Sequence, residues 1–354
     1  MKKLIKKISV ILSIALIACL FTGCNSSKEV VNFLNYGENI DSETLKEFKD
    51  KYNIKVNVDT FDDMETMYNK IKTGAANYDV ILVSDNLMER MINEDLVQEL
   101  NKENIPNINQ MSEDYLNLSI DPGNKYSVPY MFGTVGLIYN KDVVTEKVDS
   151  WDILWNEKYK NQIFMFNTYR DTIGAALKKL GYSLNSENKD EIEEAKNLLL
   201  SQKKLGTIYG SDYGTESIAS GDRKSTRNMI WSGEGLNLQD EYDNLEYVVP
   251  KEGANFWIDS LCIPKSAKNV EGAEKFINFV SDKENSLRIA DEIGYTTPNK
   301  EAMEEQDDSI KNNPNAYMPK EIMDRCELYK DLPKDVKKVY DEAWTEIGVE
   351  SSEE

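Results

Sequence analysis

The spacing of apolar and polar residues changes period repeatedly along the chain, and each change marks an element. Residues 30–36 and 54–60 are short, β-branched or apolar stretches that predict strands, and 78–83 (Tyr-Asp-Val-Ile-Leu-Val) is a continuous apolar run of strand length. Between them, 41–52 carries acidic residues in its first turn with Leu45 and Phe48 on one face, and 62–73 runs as a helix to Gly74. Another helical run covers 87–93. Past Pro122-Gly123 a long strand-like stretch fills 126–139, and Ser150 is placed to cap a short helix at 150–155. Further strands are predicted at 163–166, 228–231, 245–249 and 256–263, with helices at 171–180, 189–204, 272–279 and 284–291. Strands alternating with helices at this spacing predict an α/β fold whose sheets are parallel and covered on both faces.

Two such halves follow one another with no Pro/Gly-rich linker between them. The pattern predicts two lobes, each a sheet flanked by helices, joined by strands that cross near 134–140 and 257–264, with a ligand cleft between. The expected division is 30–135 plus about 262–305 for the first lobe and 136–261 plus about 306–350 for the second. Ligands of such sheets sit outside the carboxyl ends of the strands. Three ends stand out: Tyr36-Gly37-Glu38-Asn39, Ser84-Asp85-Asn86 and Trp257-Ile258-Asp259.

The last of these is chemically the most pointed. Side chains two apart on a strand share a face, so Trp257 and Asp259 point the same way. An aromatic surface beside a buried carboxylate suits an alkyl-ammonium group, which needs a π face and a counter-charge. The same residues also read as an aromatic and a cap at a strand end, and both readings stay open at this point. Ser84, Asp85 and Asn86 likewise precede a helix, and Asn86 with Glu89 has capping-box spacing. Trp151 and Trp155, four apart, read as core.

Composition narrows the field. The 354 residues contain no His, which removes His general bases, Ser-His-Asp triads and His-ligated metals. A net charge of -21 argues against nucleic acid and favours small cations near the surface. Residues 1–23 read as a leader: Lys2, Lys3, Lys6 and Lys7 precede an uncharged apolar run, 8–21, too short for a comfortable membrane span. The site Thr22-Gly23-Cys24-Asn25-Ser26-Ser27 resembles a bacterial lipoprotein signal, which implies that Cys24 is lipidated and that 24–29 tether the chain to a membrane. A cleaved secretory signal with an incidental Cys is the alternative. Of the remaining cysteines, Cys262 and Cys326 are expected to be buried free thiols.

Longer ordered stretches carry a stronger resemblance: Lys251-Glu252-Gly253-Ala254-Asn255-Phe256-Trp257-Ile258-Asp259-Ser260-Leu261, Ile293-Gly294-Tyr295-Thr296-Thr297-Pro298-Asn299, Tyr126-Ser127-Val128-Pro129-Tyr130 and Met229-Ile230-Trp231-Ser232-Gly233. From about residue 30 to residue 335 the chain resembles the bacterial polyamine-binding (spermidine/putrescine-type) lipoproteins of ABC importers. The resemblance implies a two-lobed periplasmic-binding-protein-like (type II) fold that closes on a polyamine, with no catalysis, cofactor or metal. It also implies an extracytoplasmic, lipid-anchored, monomeric protein that delivers its ligand to membrane permease subunits. Carried onto matching positions, Trp257, Tyr295 and Trp231 become stacking walls, Asp259 the principal ammonium ligand, and Asp171 and Glu38 further carboxylates. Tyr36 replaces a Trp of the family, Ser84 and Ser211 match polar contacts, and Asp85 and Glu234 are candidate replacements for acidic or aromatic positions lost at Asn39, Asn86 and Thr168. Rival readings are a same-fold protein for Fe³⁺ or a quaternary amine and a secreted hydrolase using Asp171 and Asp259.

Overall fold

The computed structural model describes residues 29–61, 63–74, 76–210, 218–219 and 227–348; Cys24 and Ser211 lie outside them. The first half opens with β1 (Glu29–Tyr36), α1 (Ser42–Tyr52), β2 (Ile54–Phe61), α2 (Met64–Thr73), β3 (Val80–Ser84) and α3 (Asp85–Asn93). The long strand β4 (Ser127–Asn140) leads to β5 (Ile163–Phe166), α4 (Tyr169–Lys179), α5 (Lys189–Lys203), β6 (Ile208–Gly210), β7 (Arg227–Trp231), α6 (Ser232–Glu241) and β8 (Leu245–Val248). The chain then returns through β9 (Phe256–Cys262), α7 (Val270–Val280) and α8 (Lys283–Ile293), and after short helical turns ends in α9 (Lys334–Ile347). Among the described residues no helix is long and apolar enough to cross a membrane.

Local chemistry sets these boundaries. Asp41 and Asp63 cap α1 and α2 by accepting from the amides of Thr44 and Thr66, and Gly74 and Gly294 close α2 and α8 in the left-handed conformation.

The strands hydrogen-bond in the order β2-β1-β3-β9-β4-β7-β5-β6, with β8 also on β4. β1, β2 and β3 are mutually parallel, as are β5, β6 and β7, but β9 runs antiparallel between β3 and β4 and β4 runs antiparallel to β7 and β8. The expectation of wholly parallel sheets is corrected there. The β9 strand arrives from the opposite half of the molecule, so it enters the first sheet from the far end.

All fourteen residues of β4 are buried. Its 127–134 part pairs with β9 and its 135–140 part with β7 and β8, so one strand runs through both lobes. The register shifts between Pro129 and Met131, beside a residue with no amide proton to donate. By contrast β9 pairs along its length with β3 and the first part of β4. The expected crossing at 257–264 therefore moves upstream, into the stretch between β8 and β9.

Separate cores support the two halves. Val31, Phe33, Phe48, Leu261 and Phe276 pack in one, and Leu137, Phe164, Ile173, Met229 and Tyr340 in the other. Trp151 is 1% exposed and belongs to the second core, as its helical spacing with Trp155 suggests. Both Cys262 and Cys326 are free, the first buried and the second half-buried.

Candidate functional site

The cleft is built at element ends. Strands β3 and β7 run directly into helices α3 and α6, and β5 reaches α4 after two residues; the first turns of these helices deliver Asp85, Glu234 and Asp171. An acidic side chain in a first turn faces unpaired amides, so the helices tolerate these carboxylates well. Asp259 arrives differently. It sits in the middle of β9, opposite Ser84 at the end of β3, because the two strands are antiparallel. The reading of Trp257-Ile258-Asp259 as a strand end is thus corrected to mid-strand.

Around these residues lies a cavity of about 260 Å³. Its wall carries four carboxylates, Asp85, Asp171, Glu234 and Asp259, with Tyr36, Trp231, Trp257, Tyr295 and Tyr329 as aromatics. Among the described residues that line it there is no Lys or Arg. Of the sequence candidates, the structure gathers Tyr36, Ser84, Asp85, Asp171, Trp231, Trp257, Asp259 and Tyr295 on this wall. Glu38 is exposed and stands outside it.

Each carboxylate is held by neighbouring donors. Ser84 is the residue preceding α3, yet its hydroxyl makes no capping bond and donates to Asp259. Asp85 accepts from the amide of Asn86 at 2.8 Å and from that of Tyr329 at 2.9 Å. Asn86 lies inside α3 and Glu89 accepts from the Asp331 amide, so the capping-box reading of that pair does not hold. Asp171 accepts from the Thr168 hydroxyl at 2.6 Å and the Tyr329 hydroxyl at 3.1 Å. Glu234 accepts from the Tyr295 hydroxyl at 2.9 Å.

Burial dominates the electrostatics. Asp259 is 6% exposed, and desolvation pushes its carboxyl up to about 6 against the pull of the Ser84 hydroxyl. Asp85, 2% exposed, is raised to about 7 by burial, with the Asn86 and Tyr329 amides opposing; nearby Asp259 pushes it further up and Arg170 pulls it down. Burial also raises Asp171 and Glu234, opposed by their hydroxyl donors. Four carboxylates made basic by exclusion of water form a site that gains from an incoming cation.

The aromatics are fixed by packing. Trp231 stacks on Phe166 at 4.3 Å, and Trp257 meets Tyr295 edge-on at 5.4 Å and 72°. Gly133 and Gly233 make the room: a Cβ on the first would overlap Trp257 and on the second the Tyr295 ring. Gly233→Ala is accordingly expected to displace Tyr295 from Glu234 and cost about 1–3 kcal/mol as an overpacked substitution. Denaturant unfolding measures it, and an unchanged midpoint would contradict this tight fit.

Tyr329, Asn255, Met64 and Met131 also line the cleft. They were not singled out from the sequence, because nothing in their local pattern distinguishes them from packing residues.

Comparison with known proteins fits this geometry. Residues 43–319 match the family described as bacterial extracellular solute-binding protein. The spermidine/putrescine-binding periplasmic protein of Salmonella typhimurium is 33% identical over 326 residues, covering 91% of this chain and 92% of that one. Among solved structures, a spermidine/putrescine ABC-transporter substrate-binding protein from Streptococcus pneumoniae superposes with a TM-score of 0.83 at 34% identity, covering 90% of this chain and 98% of its own. A lipoprotein of Treponema pallidum gives 0.81 at 26% identity, covering 90% and 99%. The two-lobed solute-binding architecture read from the sequence is thus shared with solved relatives, and the chain belongs to the bacterial extracellular solute-binding protein family.

Proposed function

We propose that this protein captures a polyamine of the spermidine/putrescine class and delivers it to the permease of an ABC importer. The observation that carries the reading is the wall itself: four carboxylates, Asp85 and Asp259 buried and Asp171 and Glu234 half-buried, and five aromatic rings, with no Lys or Arg among the described lining residues. A polyamine offers ammonium groups for the carboxylates and methylenes for the rings. Cation–π contacts of about 0.5–2 kcal/mol each and charge-assisted hydrogen bonds then add on the same molecule. The names of the relatives support the same ligand class.

Asp259 is the principal ammonium acceptor in this reading, held by Ser84, with Trp257 and Tyr295 beside it. Asp171, Glu234 and Trp231 act from the second lobe, and Tyr36 and Asp85 from the first. Ser211 is proposed as a further polar contact by resemblance, and Glu38, being exposed, as part of the acidic surface that attracts the ligand. The lobes divide where the pairing divides, at residues 134 and 135 of β4 and just before β9. A ligand that touches both lobes binds the closed form better and shifts the population towards it. Lipidation of Cys24 would hold the monomer at the outer face of the membrane; the lipoprotein relative supports that anchor.

As a member of a solute-binding family the protein is a binding protein rather than an enzyme, and the carboxylate-pair hydrolase reading is set aside. Calorimetric titration with putrescine, cadaverine, spermidine and spermine is expected to show one saturable site. Monoacetylated putrescine, which has lost one charge, should bind weakly. Equal heats from choline and putrescine, or heat only from Fe³⁺, would replace this reading with one of its same-fold rivals.

A further inference from the structure

Closure needs a hinge, and the two halves of the sheet meet on a single residue of β4. Thr134 is the last residue of β4 to pair with β9, opposite Phe256. Val135 is the first to pair with β7, opposite Trp231. There β7 ends, because Ser232 begins α6. The Thr134 amide therefore has no strand to meet beyond Trp231, and the Ser232 hydroxyl accepts it at 3.1 Å instead.

Tyr247 holds the rest of the residue. It stands on β8 opposite Ile138, yet its side chain runs back along β4 to the hinge. Its hydroxyl shares a hydrogen bond with the Thr134 hydroxyl at 2.8 Å and donates to the Thr134 carbonyl at 3.3 Å. Two glycines open the path. An added Cβ on Gly136 of β4 would lie 2.5 Å from that hydroxyl, and one on Gly235 of α6 would lie 2.5 Å from the ring. The Tyr247 backbone is fixed as well, its amide donating to Gln239 of α6 at 2.9 Å and its carbonyl accepting from Asn315 at 3.0 Å. Tyr247 is 0% and Thr134 1% exposed, so water does not compete for these bonds.

Thr134 is thus gripped from both sides. Strand pairing ties it to β9, which carries Trp257 and Asp259 of the cleft wall. Ser232 and Tyr247 tie it to the half that carries Trp231 and Glu234. Rotation of one half against the other turns the backbone near this residue, and so has to bend or break these bonds.

We propose that Tyr247 is a positioning residue for ligand capture: through Thr134 it restrains the hinge, narrows the range of lobe angles in the unliganded protein and pre-organises the cleft. This rests on the polyamine reading and on the lobe division at residues 134 and 135 given above. Neither Tyr247 nor Thr134 is among the described residues that line the cleft. Their effect is still felt there, because apparent affinity scales with the fraction of molecules in the binding-competent geometry.

Tyr247→Phe tests it by keeping the ring and removing the hydroxyl. In small-angle scattering the unliganded variant is expected to have a larger radius of gyration than the unliganded wild type. The two should coincide once saturated with putrescine. Calorimetry should show putrescine affinity about three- to tenfold weaker, the scale of one buried hydrogen bond. Thr134→Val removes the partner hydroxyl and should move both quantities in the same direction. Combined with Tyr247→Phe it should weaken binding no further than Tyr247→Phe alone, since the two hydroxyls form one contact. Should either variant fail to fold by circular dichroism, the other, together with Ser232→Ala at the hinge amide, carries the same comparison. A Tyr247→Phe protein that melts lower but keeps the wild-type radius and affinity makes Tyr247 a packing residue and overturns the restraint. Affinity losses that simply add in the double variant overturn it too, since the hydroxyls would then act through separate partners. If the wild type binds no polyamine, the polyamine reading has failed, while the unliganded radii still decide the restraint.

Discussion

Asp259→Asn is expected to lower polyamine affinity by well over tenfold without lowering the stability of the unliganded protein. The two halves of that result have one cause. Asp259 is buried against the Ser84 hydroxyl, and its carboxyl is raised from 3.8 to about 6. Keeping it ionised at neutral pH therefore costs the empty protein about 2–3 kcal/mol. An amide of the same shape can still accept from Ser84, so the unliganded fold is relieved of a charge and keeps its hydrogen bond. The bound state loses the charge-assisted contact and leaves an ammonium facing a neutral group, a change of about 2–5 kcal/mol. Calorimetry gives the affinity and thermal unfolding without ligand gives the stability. If both fall together, Asp259 is a structural residue rather than the ammonium acceptor.

Such a split between stability and binding marks how much of this site the sequence exposes. The apolar runs of β3, β4 and β9 and the helical spacing between strands are local signals, and they were legible. So was the pairing of Trp257 with Asp259 on one face, which needs only the period of a strand. What stayed hidden is nonlocal. That β9 would run antiparallel beside β3, setting Asp259 opposite Ser84, depends on the chain returning from the second lobe, which no window of sequence contains. The same return moved the lobe crossing upstream of β9. Asn86 shows a converse failure: its spacing with Glu89 satisfies a capping box, but Ser84 already precedes the helix and Glu89 is occupied by Asp331. Tyr329 lies in Glu-Leu-Tyr-Lys-Asp, a polar stretch without period, and becomes meaningful only once both of its carboxylate partners are placed. Glu38 follows the end of β1 as expected, yet a strand end fixes a neighbourhood and not a direction, and this side chain stays in solvent.

Acidification is expected to weaken the ligand and strengthen the empty protein, in the same pH window. Asp259 at about 6 and Asp85 at about 7 are both raised above the ordinary aspartate value of 3.8. The folded chain therefore holds protons that the unfolded chain has released between about pH 4 and 7, and its stability declines as pH rises through that interval. Carboxylates held low in the folded chain, such as Glu94 by the Tyr68 hydroxyl and Lys72 and Glu146 by Lys158, both at about 2, oppose this trend only below about pH 5.5, where the unfolded chain still binds protons on them. A dicationic ligand reverses the preference, because it binds the ionised carboxylates and expels their protons. Between pH 8 and pH 5, protonation of Asp259 alone should lower putrescine affinity about tenfold. Thermal unfolding at pH 5, 6, 7 and 8, with and without putrescine, separates the two trends: the unliganded midpoint should fall with pH while the ligand-induced shift grows. Calorimetry in buffers of different ionisation enthalpy should also detect proton release near pH 6, diminished in Asp259→Asn. A ligand-induced shift of constant size across this range would mean that the cation is met by carboxylates already ionised in the empty cleft, and the buried acids of the wall would then need another role.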